Sequence, residues 1–97
     1  DPAVRRKAIA ALGELGDERA VPFLNEAIGD EKSEVRLEAV LASGKLKSRN
    51  SMDALAEAAL HDSEPIVRLN AVWALGEIGD ESVLRAVILS MGDPEPT

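Results

Sequence analysis

Few residues in this chain could do acid–base or metal chemistry, because it contains a single histidine, His61, and no cysteine. A zinc site made of Cys and His ligands needs several such side chains, so the chain cannot supply one. A Ser–His–acid triad would depend on His61 alone. The glycines Gly13, Gly16 and Gly29 do not follow the spacing of a phosphate-binding loop. We therefore expect no catalytic residue, no metal and no cofactor, and we expect that the protein is not an enzyme.

The amino-acid composition disfavours some classes of binding partner. The 97 residues carry a net charge of −7, which disfavours nucleic acid and anionic membrane surfaces, since both attract cationic proteins. No run of apolar residues is long enough to span a membrane. The lack of cysteine fits a reducing compartment. We expect a cytoplasmic protein that binds a protein or peptide, and neither nucleic acid nor membrane.

The secondary-structure elements that position the candidate side chains are encoded by a sequence pattern that occurs three times in the chain. The dipeptide Val-Arg begins at residues 4, 35 and 67, which are 31 and 32 residues apart. Ala stands four and seven residues after each Val, and Gly nine residues after it. The offsets 0, 4, 7, 8 and 11 from each Val lie on one face of an α-helix, which we call helix A. In the first copy the predicted core face holds Val4, Ala8, Ala11, Leu12 and Leu15.

A second helix, helix B, follows each helix A after a short turn. Its predicted inward residues are Val21, Leu24 and Ile28; Met52, Leu55 and Ala59; Leu84, Val87 and Met91. One such hairpin cannot bury its own apolar faces, whereas stacked hairpins share a core. We therefore predict an all-α fold, an α-solenoid of three antiparallel helix hairpins, in one domain with repeats at residues 1–31, 32–63 and 64–97.

The pattern VRxxAxxALGExGDExAVPxL at residues 4–24 resembles the short HEAT-like repeat of the phycobilin-lyase type. The resemblance extends over all 97 residues and is weaker in the second copy. It implies a right-handed solenoid with helices B on the concave side, and usually a scaffold that grips other proteins. Some relatives attach or detach bilins, and others hydroxylate a lysine-derived residue with iron. The His–Glu metal pair of the hydroxylases is missing here, where Asp62 follows His61.

The outward row of helix B is the best candidate binding surface, because solenoids bind through such rows. Trp73 lies on a flank of the third helix A, where we expect it either to pack against Val40 or to contact a partner. The candidate partner-binding residues are Phe23, Glu26, Asp53, Glu57, Arg85, Leu89 and Trp73. We predict a scaffold or protein-interaction module. The alternatives are a fragment or subunit of a bilin-lyase-like enzyme and a structural spacer within a larger regulatory protein.

Three further expectations concern contacts between the copies. Each Arg of the Val-Arg pairs should bind an acidic turn residue of a neighbouring copy, for instance Arg36 with Asp17. The turn at residues 47–51 lacks the Gly-Asp of the other two, so we expect a different conformation there. The sequence is cut in the same phase at both ends, which suggests a slice of a longer array. The last copy should then leave Val72, Ile88 and Leu89 partly uncovered and support a weak tail-to-tail homodimer through the C-terminal repeat.

Overall fold

The computed structural model describes residues 1–92, which form six α-helices and no strand. Helices A are α1 (Pro2–Leu15), α3 (Ser33–Leu46) and α5 (Pro65–Ile78). Helices B are α2 (Val21–Ile28), α4 (Met52–His61) and α6 (Glu81–Gly92). Short 3₁₀ turns, Glu18–Ala20 and Arg49–Ser51, precede α2 and α4. The predicted all-α fold of helices packed as repeats is confirmed.

Local sequence explains where helices A begin and end. The Asp1 carboxylate accepts a hydrogen bond from the Ala3 N–H at 2.8 Å, and Pro2 occupies the first turn, where no N–H is needed. Gly16 and Gly79 end α1 and α5 in the left-handed conformation, with φ of 66° and 85°. A residue without Cβ adopts this conformation freely, so both helices end at a glycine.

The middle turn has the conformation of the first, so the expected difference is wrong. Lys47 ends α3 with φ of 58°, in the left-handed region that Gly16 occupies. Ser48 then caps the following 3₁₀ turn by accepting from the Asn50 N–H at 3.1 Å, as Asp17 accepts from the Arg19 N–H. Ser48 is buried, so the surrounding structure holds the turn. Packing between copies therefore imposes the same turn on a lysine, at a local energetic cost.

Stacking of helices A forms the spine of the molecule. Helix α1 packs on α3 and α3 on α5, while α2 and α4 each pack more closely on the helix A that follows them than on the helix A of their own copy. Small residues allow the close approach, since a Cβ added at Gly13 would lie 2.7 Å from the Ala42 Cβ. The largest fully buried apolar side chains are Leu24, Leu55, Leu75, Val35, Val40 and Val67. Most of the predicted inward residues of helices B are buried or partly buried, while Met91 is 44% exposed.

The predicted core face of helix A is buried in the second and third copies but open in the first. Val35 and Val67 are 1% and 0% exposed, whereas Val4 is 64% exposed and Leu15 is 74% exposed. Ala8 and Ala11 are exposed as well, and Leu12 is only partly buried. The reason is that the preceding copy covers this face in α3 and α5. In α1 the residues that meet α3 are Ile9 and Gly13, which lie on the other side of the helix.

The arginine ladder exists, but its acidic partners are not those expected. Arg5 forms two hydrogen bonds with the Asp30 carboxylate, at 2.8 and 3.0 Å, and Arg36 does the same with Asp62 at 2.8 and 3.1 Å. Asp17 instead binds Arg19. Arg36 could not reach Asp17, because they lie at opposite ends of helices about 20 Å long. The equivalent partner of Arg68, Asp93, lies outside the described residues.

The two ion pairs join the ends of the first copy and of the second copy, and the same column of arginines also links neighbouring copies. Arg36 donates to the backbone carbonyl of Asp30 at 3.0 Å, and Arg68 donates to that of Asp62. The hydrogen bonds from Arg5 and from the Lys32 N–H lower the pKa of Asp30. The pKa of Arg36 is raised by its hydrogen bonds to Asp62. Asp30 and Asp62, which lie between helix B of one copy and helix A of the next, thus fix the starts of helices A relative to the ends of helices B.

Candidate protein-binding surface

The three helices B lie side by side and present one row of exposed side chains. Helix α2 contacts α4, and α4 contacts α6. Each helix contributes two predicted residues spaced three or four apart, so both lie on one face of it. All six side chains are exposed. We call this set the B row: Phe23, Glu26, Asp53, Glu57, Arg85 and Leu89.

A first cavity of about 460 Å³ lies between α2 and α4. Its walls combine apolar side chains with the B-row carboxylate of Glu57 and with His61, and the Arg36–Asp62 ion pair lies at one end. Asn25 also lines it and ties α2 to the next copy, since its amide donates to the Asn50 carbonyl at 3.0 Å. The cavity is open to solvent and mostly apolar, and among its lining carboxylates Asp30 and Asp62 are paired with arginines whereas Glu57 forms no ion pair within residues 1–92.

A second cavity of about 430 Å³ lies between α1 and α2 and is more apolar. Phe23 and Glu26 of the B row line it together with Ile9 and Leu12 from helix A. Gly29 and Asp30 line both cavities, so the two lie on either side of the C-terminal end of α2. The B row therefore borders two adjacent recesses.

The charge along the B row changes sign between copies. Glu26, Asp53 and Glu57 place three carboxylates on the first two copies, while Arg85 carries a cation on the third. Within residues 1–92 none of these four side chains forms an ion pair. The first two copies thus present unpaired negative charge beside recesses, which favours the approach of a cationic group.

Trp73 is separate from the B row. It belongs to helix A and lines neither cavity, and its ring packs against Gly44 so closely that a methyl group there would overlap it. Val40, its expected neighbour, is fully buried. Trp73 nevertheless keeps 42% of its surface exposed. The structure therefore places it in the contact between α3 and α5.

Asn25 was missed as a lining residue, although the repeat contained a sign of it. The equivalent residues in the other copies are Ala56 and Ile88, both apolar. A polar residue at a column that is otherwise apolar indicates a local function in that copy. Ile9 and Leu12 were missed as lining residues because helix A was treated only as core.

Comparison with known proteins agrees with this architecture. The family model described as HEAT repeats matches residues 1–68 and 44–97. The deoxyhypusine hydroxylase of Danio rerio is 34% identical over 97% of the chain, and deoxyhypusine hydroxylase-B of Oryza sativa subsp. japonica is 31% identical over 95%. The uncharacterized phycocyanin operon protein Z of Pseudanabaena tenuis is 30% identical over 81% of the chain, which is 43% of its own length.

The expectation that the protein is not an enzyme is contradicted by the two hydroxylases, which resemble nearly the whole chain. The chain spans only 31% of the length of each. The catalytic groups of the relatives need not lie in these repeats, because about two thirds of the length of each hydroxylase lies outside the match. No helix within residues 1–92 is long and apolar enough to cross a membrane.

Proposed function

The chain belongs to the HEAT-repeat family, and from that premise we propose that it binds an extended protein or peptide segment along the B row. The observation that carries the proposal is the adjacency, at the end of α2, of a recess lined by the Glu57 carboxylate, which forms no ion pair within residues 1–92, and a second, more apolar recess. Two neighbouring recesses of different character suit a linear segment whose successive side chains differ in the same way.

The proposed segment carries a lysine or arginine beside an aliphatic residue. The cation meets Glu57 at the mouth of the first cavity, and the aliphatic side chain enters the second cavity next to Phe23. Glu26 and Asp53 extend the negative surface on which further cations lie. Such contacts lie at the rim and are worth little individually, so binding strength depends on the apolar anchor.

Fluorescence anisotropy with two labelled peptides tests this proposal. One peptide places lysines around a central leucine, and the other carries glutamates at the lysine positions. We expect the lysine peptide to bind and the glutamate peptide not to bind. Phe23→Ala should weaken binding of the lysine peptide by removing the apolar anchor.

Charge reversal on the same surface supplies the matched comparison. The double variant E26K/E57K should weaken binding of the lysine peptide about tenfold. The double variant E31K/E81K is the control, because Glu31 and Glu81 are exposed and line neither cavity, and the net charge changes by the same amount as in E26K/E57K. Equal binding of both peptides, or equal loss in the control, refutes a B-row site. Absence of any binding favours a spacer without a partner of its own.

A second candidate function is hydroxylation of deoxyhypusine by the protein to which these repeats contribute. The hydroxylases that match nearly the whole chain favour it. The described residues themselves do not fit a metal site, since residues 1–92 contain no group of three His, Cys, Asp or Glu side chains placed to hold an ion. No catalytic step is therefore assigned to them.

Mass spectrometry of a deoxyhypusine-containing peptide tests the second candidate. The peptide is incubated with the protein in air, with and without added Fe(II). A gain of one oxygen atom supports the hydroxylase activity, and an unchanged peptide rejects it for this chain.

We further propose that the protein is cytoplasmic, on the ground that the chain contains no cysteine.

A further inference from the structure

The first cavity is a groove between two helices, and every residue that lines it lies between positions 25 and 63, in the interior of the chain. Its long walls are the facing sides of α2 and α4. The lining residues of α4 lie on one face of that helix and are Ala54, Glu57, Ala58 and His61. They extend along about 10 Å of helix, so the groove is long enough to receive one extended side chain.

Glu57 is the charged group of this cavity that is left for a ligand. Within residues 1–92 the carboxylates of Asp30 and Asp62 are bound by Arg5 and Arg36. Glu57 forms neither an ion pair nor a hydrogen bond in the same part of the chain, so both of its carboxylate oxygens are available. The charge of the cavity therefore favours a cation.

The cation that already lines the cavity, Arg36, is fully occupied by the protein. Its Nε and Nη2 donate to the Asp62 carboxylate at 2.8 and 3.1 Å, and Nη2 also donates to Ser63 Oγ at 3.4 Å. Its Nη1 donates to the carbonyls of Asp30 and Glu31 at 3.0 and 3.2 Å. All five N–H groups of the guanidinium are used, so Arg36 has no donor left for an anionic ligand.

Asn25 supplies a second acceptor on the opposite wall. Its Nδ2 donates to the Asn50 carbonyl at 3.0 Å, while its Oδ1 is buried and accepts no hydrogen bond within residues 1–92. A buried acceptor without a donor is unfavourable, so a donor inserted between α2 and α4 gains from reaching it. The equivalent residues of the other copies, Ala56 and Ile88, are apolar, so this acceptor belongs to the first cavity alone among the three copies.

We propose that the first cavity is a subsite for an arginine side chain, in preference to lysine, of the peptide that binds the B row; the inference rests on that proposed function. One edge of the guanidinium donates to both carboxylate oxygens of Glu57, and a further N–H donates to Asn25 Oδ1. A lysine ammonium is a compact and strongly hydrated point charge, so it pairs with Glu57 at the mouth of the cavity without bridging the two walls.

The apolar part of the cavity favours a guanidinium for a separate reason. Ile28 on α2 faces Ala54 and Ala58 on α4 across the groove. A guanidinium is more weakly hydrated than an ammonium and lies flat against apolar surface at lower cost. Ala54 occupies the position that Phe23 has in the first copy, and its small side chain leaves the groove open between the helices.

Fluorescence anisotropy of the whole chain with three labelled peptides tests the proposal. The peptides share a central leucine and differ only in the residues that flank it, which are lysine, arginine or citrulline. The arginine peptide should bind about five- to tenfold more tightly than the lysine peptide, because it forms the bidentate contact with Glu57. The citrulline peptide should bind more weakly than either, since citrulline has nearly the shape of arginine without its charge.

Two matched variants test whether this preference arises in the first cavity. Glu57→Gln should bring the affinities of the arginine and lysine peptides to within about twofold of each other. Glu26→Gln is the control, because Glu26 is the equivalent residue of the first copy and lines the second cavity instead. It changes the net charge equally and should leave the preference for arginine unchanged.

Asn25→Ala tests the contribution of the α2 wall. The variant should reduce the preference for arginine about two- to threefold, because it removes the second acceptor. Alanine occupies this position in the second copy, at Ala56, so the variant should keep its helix content, which circular dichroism checks.

The outcomes separate the subsite from the proposed function. Equal affinity of the wild type for the arginine and lysine peptides overturns the arginine subsite and leaves peptide binding on the B row intact. A preference for arginine that is the same in Glu57→Gln and Glu26→Gln places the guanidinium outside the first cavity, which also overturns the subsite. Failure of both cationic peptides to bind overturns the proposed function and the subsite with it.

Discussion

The same Gly→Ala substitution at two equivalent positions of the repeat should change the free energy of unfolding in opposite directions. Gly13 and Gly76 occupy equivalent positions in α1 and α5. Alanine favours the interior of a helix over glycine by about 1 kcal/mol, so propensity alone stabilises both variants equally. Their surroundings differ, because α3 covers Gly13 while Gly76 is exposed.

The distances decide the sign at Gly13. A methyl group there would lie 2.7 Å from the Ala42 Cβ and 3.1 Å from the Ala42 Cα, well inside the ordinary separation of carbon atoms. Since one of these atoms is backbone, α1 and α3 must separate. Overpacking of this kind costs about 1–3 kcal/mol. Gly13→Ala should therefore lower the free energy of unfolding by about 1 kcal/mol, after the gain in propensity is subtracted.

At Gly76 the nearest atom is a side-chain methyl at 3.9 Å, so no clash offsets the gain. Gly76→Ala should raise the free energy of unfolding by about 1 kcal/mol. The variants then differ by about 2 kcal/mol, or roughly 8–16 °C in melting temperature for a domain of this size. Urea unfolding followed by circular dichroism measures both. Changes of the same sign and size would refute the close packing of α1 on α3.

Three other predictions follow from individual contacts. Lys47→Gly should raise the free energy of unfolding by about 1 kcal/mol in urea, because glycine removes the left-handed strain, whereas Gly79→Ala should lower it. Arg36→Met should lower it by about 2 kcal/mol or more and Arg5→Met by less, since side-chain exposure in the two ion pairs is 13%/5% against 39%/13%. The lowered pKa of Asp30 means that the unfolded chain binds more protons than the folded chain. The stability that the Asp30–Arg5 pair contributes is therefore complete above about pH 5 and falls as the pH drops further, and Asp30→Asn should flatten that part of the pH profile.

The helical architecture could be predicted because the repeat places apolar and small residues at helical offsets in all three copies. Burial of Val35 and Val67 follows directly from that periodicity. Exposure of Val4 does not, since the periodicity of one helix contains no information about which neighbour covers it. Whether a helix face is buried or exposed in a protein of stacked repeats depends on whether a neighbouring copy covers it.

The sequence repeat could not predict contacts between residues that are far apart in the chain. The column of Arg5 and Arg36 indicated a ladder, but the choice between Asp17 and Asp62 as partner depends on which helix ends lie together. The turn at Lys47 was judged from local preference, and tertiary packing overrode it. The side chains of the B row are exposed, whereas the two cavities beside them depend on side chains from α1, α2 and α4 that come together only in the fold.

The most direct test of peptide binding along the B row is a ¹H–¹⁵N NMR titration of the whole chain with the unlabelled lysine–leucine peptide. Binding at the two recesses should shift the amides of α2 and α4 around Phe23, Asn25 and Glu57, with smaller shifts in α6. The amides around Trp73 in α5 should remain unchanged. Shifts confined to helices A, or a spectrum that does not change at millimolar peptide, would contradict the proposed site.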